Sequence, residues 1–496
     1  MKWIFKRGAR RFDRQAKAGG PRLDDVLMEL APGVLWTVRD SLAGGVLSLG
    51  TTGSGKTSGS LRAINSAQLE SGFGGIYFTV KPEDRHTYEQ WIKDAGRTDD
   101  LVVVSQDGHH RFNFLQAEIS QCPNRAAAAQ NLTQQLLTAA EACDPKVGPA
   151  SGGGDDSAFF RHYAAMYLNN ALWVLLLSGS NVTPQSVLEL IRSTPRSDAE
   201  LNDAAWRARS HFFRAISAAQ DAPMTESEHA DFRMAAGFFL RELVNLGSRT
   251  RSSVEATLTA ALNVLSRGLV RETISAERPN LQAESVHEGK LVIVDFPVHV
   301  YGVVGKVIQV MLKDSFQRAH SRRTFRDGCR PTFMLTDECQ YLLVAADQLF
   351  QSTTRSTGTS VTNATQSVSA IAEALGADSE TKVAALLGNF STQVFHAQTD
   401  TRTIEYIQQL VGRSRQFMMN GNSARGGEWL APLFGESTGG SAGFSEAYEF
   451  ELQARDLNGL AKGGPPRFIT EAIVYQSGRT FPNGRTWLPV QFNQKR

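Results

Sequence analysis

Residues 50–57 read GTTGSGKT, and no other stretch narrows the fold as far. They fit the pattern G-x-x-x-x-G-K-[ST] in full. Before them, Gly45-Val46-Leu47-Ser48-Leu49 is apolar enough for a buried strand, and 58–65 reads as a helix. Strand, glycine loop and helix are the context in which this pattern holds phosphate. Glycines let backbone N–H groups turn inward around phosphate oxygens, and the helix N-terminus adds its positive end. The candidate nucleotide-binding set is therefore Gly50, Thr51, Thr52, Gly53, Ser54, Gly55, Lys56, Thr57 and Ser58. Lys56 is expected to reach the β- and γ-phosphates of ATP, and the Thr57 hydroxyl to hold Mg²⁺.

The chain of 496 residues is long enough for two or three domains. Its net charge of +2 argues against a polycation that coats nucleic acid, and leaves room for a local basic channel. Cys122, Cys143, Cys329 and Cys339 show no C-x-x-C pair and no metal-ligand spacing, so they read as reduced thiols of a cytosolic protein. No apolar run reaches the length of a membrane span. The first 22 residues are basic: Lys2, Lys6, Arg7, Arg10, Arg11, Arg14, Lys17 and Arg22 stand against Asp13 alone, with Trp3, Ile4, Phe5 and Phe12 among them. Such a segment is either a solvated tail or a helix that lies on an anionic membrane or on DNA.

Strand and helix alternate from about 23 to 115, with strands predicted at 75–80 and 101–104 around a helix at 87–95. This is the rhythm of an α/β parallel sheet. Lys81-Pro82 falls at a strand end, where such sheets place ligand loops, so Lys81 faces nucleotide, a neighbouring subunit or solvent. Between 116 and 285 the pattern turns helical, with helices predicted at 124–142, 159–177, 183–193, 199–219, 227–246 and 252–265 and a glycine-rich loop at 148–156. Strands return at 290–295, 332–338, 360–366 and 392–397. Residues 421–443 read as a glycine-rich loop, and strands end the chain at 448–452, 467–475 and 485–492. The expected division is a basic segment 1–30, a nucleotide-binding domain from 31–115 and 286–496, and an inserted all-α domain 116–285.

Hydrolysis requires a carboxylate near Mg²⁺ and a group that orients water. Two strand-end acids compete. Asp295 is followed by Phe296-Pro297, whereas Asp337 is followed by Glu338. The pair suits a division of labour, with Asp337 at the metal and Glu338 as general base. Gln366 ends the next strand, where it senses the γ-phosphate, positions water or caps the following helix. Arg355 ends the helix between them, and an arginine supplied by a neighbouring subunit neutralises transition-state charge in many such sites. Arg249 and Arg251 are candidates for DNA phosphate contacts.

Beyond the phosphate loop, several stretches resemble the type IV coupling proteins of conjugation, the TraG/TraD-like group within the FtsK/HerA class of motors. They are Arg111-Phe112-Asn113-Phe114-Leu115, the strand and proline at 289–297, Thr336-Asp337-Glu338-Cys339-Gln340, Ala364-Thr365-Gln366-Ser367, and the C-terminal end with Gly463-Gly464 and a final aromatic-Asn-Gln. The resemblance spans about residues 40–496. It implies a RecA-like P-loop ATPase with an all-α insert, assembled as a homo-hexameric ring that moves DNA. It also implies relaxosome or secretion-channel proteins as partners. On that model Lys56 and Thr57 bind nucleotide and Mg²⁺, Asp337 and Glu338 serve hydrolysis, Gln366 senses phosphate and Arg355 is the arginine finger. Members usually carry N-terminal transmembrane helices, which this sequence lacks. The expectation is a cytoplasmic motor, with the basic N-terminus as a peripheral contact at the inner membrane.

Overall fold

The computed structural model describes residues 20–143, 155–376, 379–423 and 440–495. Residues 1–19, which hold most of the basic segment, lie outside them, as does most of the loop 148–156. In chain order the strands are β1 (Val26–Ala31), β2 (Val34–Thr37), β3 (Val46–Leu49), β4 (Gly74–Phe78), β5 (Leu101–Val104), β6 (Leu291–Val294), β7 (Thr332–Thr336), β8 (Thr359–Thr365), β9 (Thr392–Phe395), β10 (Arg413–Ser423), β11 (Gly440–Phe450), β12 (Ile469–Gln476) and β13 (Trp487–Asn493). Nine of them form one sheet in the order β13-β12-β9-β3-β8-β7-β4-β6-β5. The seven from β9 to β5 run parallel, and β12 and β13 extend the sheet antiparallel.

The strands β3, β4, β6 and β7 read largely as apolar runs because both of their faces are covered. On one face Leu47, Leu49, Ile76, Phe78, Val292 and Val294 join a core that continues into the helical segment. On the other, Val46, Tyr77, Leu291 and Ile293 pack with Leu61, Ile64, Tyr88 and Trp91 from the helices that follow β3 and β4. Each such side chain, fully buried, contributes about 1.5–3 kcal/mol, so strands of only four residues hold.

The helical segment leaves and rejoins the sheet at one place. Phe112 N–H donates to the Thr273 carbonyl at 2.7 Å, and Ala276 N–H to the Phe112 carbonyl at 3.0 Å. Asn113 then caps the helix Phe114–Gln121, its side chain accepting from Gln116 N–H at 2.9 Å. The predicted helix 199–219 is three helices, Asp198–Asn202, Ala204–Arg209 and His211–Asp221. Asp203 and Ser210 each cap the helix that follows them, and that local hydrogen bonding competes with helix continuation. The ends of the predicted loop 421–443 are strand: β10 and β11 pair antiparallel as a two-stranded arm. Among the described residues no helix is long and apolar enough to cross a membrane. None of the four cysteines forms a disulfide.

Candidate active site

The phosphate loop follows β3, which lies between β8 and β9. β7, carrying Asp337 and Glu338 just beyond its C-terminal end, stands on the far side of β8. Parallel register therefore gathers three strand ends: the loop after Leu49, Gln366 after Thr365, and the acidic pair after Thr336. The loop is pinned from both neighbours, by Gly50 N–H to the Thr365 carbonyl and Thr51 N–H to the Ala397 carbonyl. Two of its glycines are required by close approach. A Cβ on Gly50 would lie 2.5 Å from Ser54 Oγ, and one on Gly55, where φ is +86°, 2.8 Å from Thr470 Oγ1.

Thr57 Oγ1 donates to Asp337 Oδ2 in a short hydrogen bond. Lys56 is buried, with Nζ donating to the Gly50 carbonyl at 2.6 Å. Glu338 takes a left-handed backbone conformation, φ +54°. Its carboxylate accepts from Gln340 Nε2 at 2.9 Å and Lys81 Nζ at 3.2 Å, and Gln366 Nε2 stands 3.4 Å away. Burial alone would raise Glu338, yet the Gln340 hydrogen bond and the Lys56 and Lys81 cations hold its carboxyl below the ordinary range. Burial pushes Asp337 the other way, opposed by the Thr57 hydrogen bond and reinforced by Glu338. Two adjacent carboxyls are thus pushed in opposite directions, and Glu338 is the one held low, as suits a base. Burial lowers Lys56 too, against the pull of Asp337 and Glu338.

These groups open onto a cleft of about 650 Å³, lined by the phosphate loop, Lys81, Trp91 and Glu338 and closed by Gly463, Phe468 and Gln494. Thr57 and Asp337 offer the hard oxygens that Mg²⁺ prefers. The glycine loop beside them, with a buried Ser54 hydroxyl that has no partner, fits a phosphate chain.

Asp295, the competing acid, instead accepts from Arg85 Nη1 at 2.8 Å. Arg355 is exposed near the end of the helix Ala346–Thr357, which leads into the start of β8. That is the opposite edge of the sheet from the phosphate loop, about 20 Å away along a seven-residue strand. The structure does not bring Arg355 to the site of its own chain. Arg251 is not free for DNA: it is buried, donating to Glu255 Oε1 at 2.7 Å and the Pro195 carbonyl at 2.8 Å. Arg249 is exposed.

Several residues of the site escaped the sequence reading. Asp84 accepts from Val80 and Lys81 N–H, both at 2.8 Å, and burial pushes its carboxyl up to about 6. His396 lies under the loop, its Nε2 2.8 Å from Ser60 Oγ, and burial pushes it down to about 3, so it is neutral. Thr470 Oγ1 donates to the Ser54 carbonyl and Gln494 Nε2 to Ser58 Oγ, both at 2.8 Å. Partners 416 and 436 positions apart leave no local pattern to find. The one available signal was the resemblance in Gly463-Gly464 and the terminal Asn-Gln.

A family model described as "Type IV secretory system Conjugative DNA transfer" matches residues 36–418. Among solved structures, the unbound monoclinic form of the bacterial conjugative coupling protein TrwBdeltaN70 is 15% identical with a TM-score of 0.58, covering 96% of this chain and 89% of that one. Plasmid coupling protein TrwB in complex with the non-hydrolysable ATP analogue ADPNP is 17% identical, TM-score 0.56, covering 97% and 92%. TrwB in complex with ADP and Mg²⁺ is 16% identical, TM-score 0.56, covering 97% and 90%. No curated protein matches the chain significantly by sequence. At these identities the structures speak for the fold, and the α/β RecA-like P-loop NTPase fold with an inserted all-α segment is the one observed.

Proposed function

The chain belongs to the type IV secretory system conjugative DNA transfer family, and on that premise we propose that it is an ATP-hydrolysing DNA translocase that works as a homo-hexameric ring. The observation that carries the reading is the hydrogen bond from Thr57 to Asp337 across 280 positions, with Glu338 charged beside it. A loop used only for docking has no need of that constellation.

In the proposed mechanism the backbone N–H groups of Gly53, Gly55, Lys56 and Thr57 hold the phosphates, with Thr51, Thr52, Ser54 and Ser58 completing the loop. Lys56 neutralises the β- and γ-phosphates. Thr57 and Asp337 hold Mg²⁺, which supplies charge neutralisation of the phosphate oxygens. Glu338 accepts a proton from water, and Gln366 reads the γ-phosphate. Arg355 acts from the neighbouring subunit, in keeping with its distance from its own loop. The segment 116–285 serves as a separate domain that engages DNA, with relaxosome or secretion-channel proteins as partners. The place of action is the cytoplasm, and the basic N-terminus gives peripheral contact with the inner membrane.

ATP turnover is expected to rise with added single- or double-stranded DNA, and the stimulation to weaken between about 50 and 200 mM salt as phosphate contacts are screened. A rate indifferent to DNA would move the reading to a motor of the same fold that acts on protein. Arg355→Ala is expected to lose about a thousandfold in kcat and to recover part of it in rings mixed with wild-type subunits. Undiminished activity would remove Arg355 from the mechanism.

A further inference from the structure

The proposed mechanism gives no role to Lys81, although its ammonium stands in the nucleotide cleft. β4 and β7 are neighbours with Phe78 opposite Thr336. Three residues beyond Phe78 and two beyond Thr336, Lys81 and Glu338 meet, Nζ to Oε1 at 3.2 Å. The two ends of this lysine are held differently. Its root is fixed, because both Val80 and Lys81 N–H donate to the buried Asp84 carboxylate. Its tip is half-buried, with 34% of the side chain exposed, at the end of a flexible four-carbon stem. It lines the same cleft wall as Lys56 and Glu338.

We propose that Lys81 is a positioning residue that holds the Glu338 carboxylate until a triphosphate enters, and then transfers its ammonium to the γ-phosphate, releasing Glu338 to water. A terminal phosphate in the cleft carries more negative charge than one carboxylate and offers three acceptor oxygens, so it competes successfully for a single ammonium. A diphosphate does not reach the lysine, and leaves the Lys81–Glu338 pair closed. Hydrolysis is thereby restricted to the state with γ-phosphate in place. This inference rests on the ATPase reading of the site.

The charged groups that face Glu338 are Asp337 at its own strand end, Lys56 from the phosphate loop and Lys81 from β4; Gln340 and Gln366 are neutral. Both cations attract the carboxylate.

The test uses the full-length chain with Lys81→Met, which keeps the apolar stem and removes the charge, and Lys81→Arg, which keeps the charge. Affinities for a slowly hydrolysed ATP analogue and for ADP are measured by competition with a fluorescent nucleotide. Lys81→Met is expected to weaken the triphosphate analogue about tenfold or more while ADP stays within about twofold of wild type. Lys81→Arg is expected to retain most of the preference for the triphosphate. An unchanged ratio of triphosphate to diphosphate affinity overturns the proposal. A wild-type chain that binds nucleotide yet releases no phosphate from ATP would instead overturn the ATPase reading, and the binding ratio still decides whether Lys81 senses the γ-phosphate.

Discussion

Glu338→Gln is expected to leave ATP bound and almost unhydrolysed, with kcat down by about 10²–10⁴-fold. The substitution keeps the shape of the side chain and its reach to Gln340 and Gln366, and removes only the charge that accepts a proton. Lys56→Ala is expected to fail earlier. It removes a buried ammonium from the loop, so both nucleotide binding and turnover should be lost. The two variants separate binding from chemistry within one cleft. Retained nucleotide measured by filter binding, set beside phosphate release, distinguishes them. Wild-type turnover in Glu338→Gln would place the base elsewhere, and full activity in Lys56→Ala would remove the phosphate loop from the reaction.

That the sequence points to residues which meet in one cleft follows from how a parallel sheet is built. Inner strands such as β3 and β7 are covered on both faces and appear as short apolar runs, and the candidate residues follow those runs at the C-terminal ends. The spacing from Leu49 to Lys56, and from Thr336 to Asp337 and Glu338, is therefore local information. The preference for Asp337 over Asp295 is local too, since it rests on the second carboxylate; in the structure Asp295 pairs with Arg85. What stayed hidden depends on strands meeting across long separations. Lys81 could be placed at a strand end, but its pairing with Glu338 needs β4 beside β7, an order that no short pattern carries. His396, Thr470 and Gln494 reach the loop from the C-terminal part of the chain in the same way. Arg251 failed for the converse reason. A charged residue in a helical stretch reads as exposed, and only tertiary packing supplies the Glu255 carboxylate and the Pro195 and Leu243 carbonyls that allow its burial. The missed arm β10–β11 is a matter of composition: its far ends are rich in Gly, Ser and Asn, which are common in turns, yet paired backbones satisfy one another whatever the side chains.

Asp347→Ala is expected to cost about 3–5 kcal/mol of stability, because it strands a buried cation. Lys313, on the helix Val298–Ser321, is 8% exposed at its side chain and donates to Asp347 Oδ2 at 2.6 Å and to the Leu342 carbonyl at 2.5 Å. Asp347 also accepts from Gln317 Nε2 at 2.8 Å and from Val344 N–H at 2.9 Å. One residue on, Ala345 N–H donates to Glu141 of the helix Arg125–Cys143 at 3.1 Å. This network fastens the loop that follows Glu338 to the helix behind the sheet and, through Glu141, to the helical segment. Without the carboxylate, Lys313 keeps one carbonyl and its charge stays out of water. Thermal unfolding should fall by about 3–5 °C for a chain of this size. The double variant Lys313→Met/Asp347→Leu should recover much of that loss, since it removes both charges together and fills the space with apolar atoms. Full recovery is not expected, because the Val344 N–H and Leu342 carbonyl then lose their partners. A single variant within about 1 kcal/mol of wild type would mean that water or a rearranged side chain reaches Lys313, and that the ion pair does not anchor the loop. If the anchor holds as described, Asp347→Ala should also depress ATP turnover more than nucleotide affinity, because the loop it frees begins at the glutamate while the phosphate loop is fastened separately through Thr365, Ala397 and Thr470.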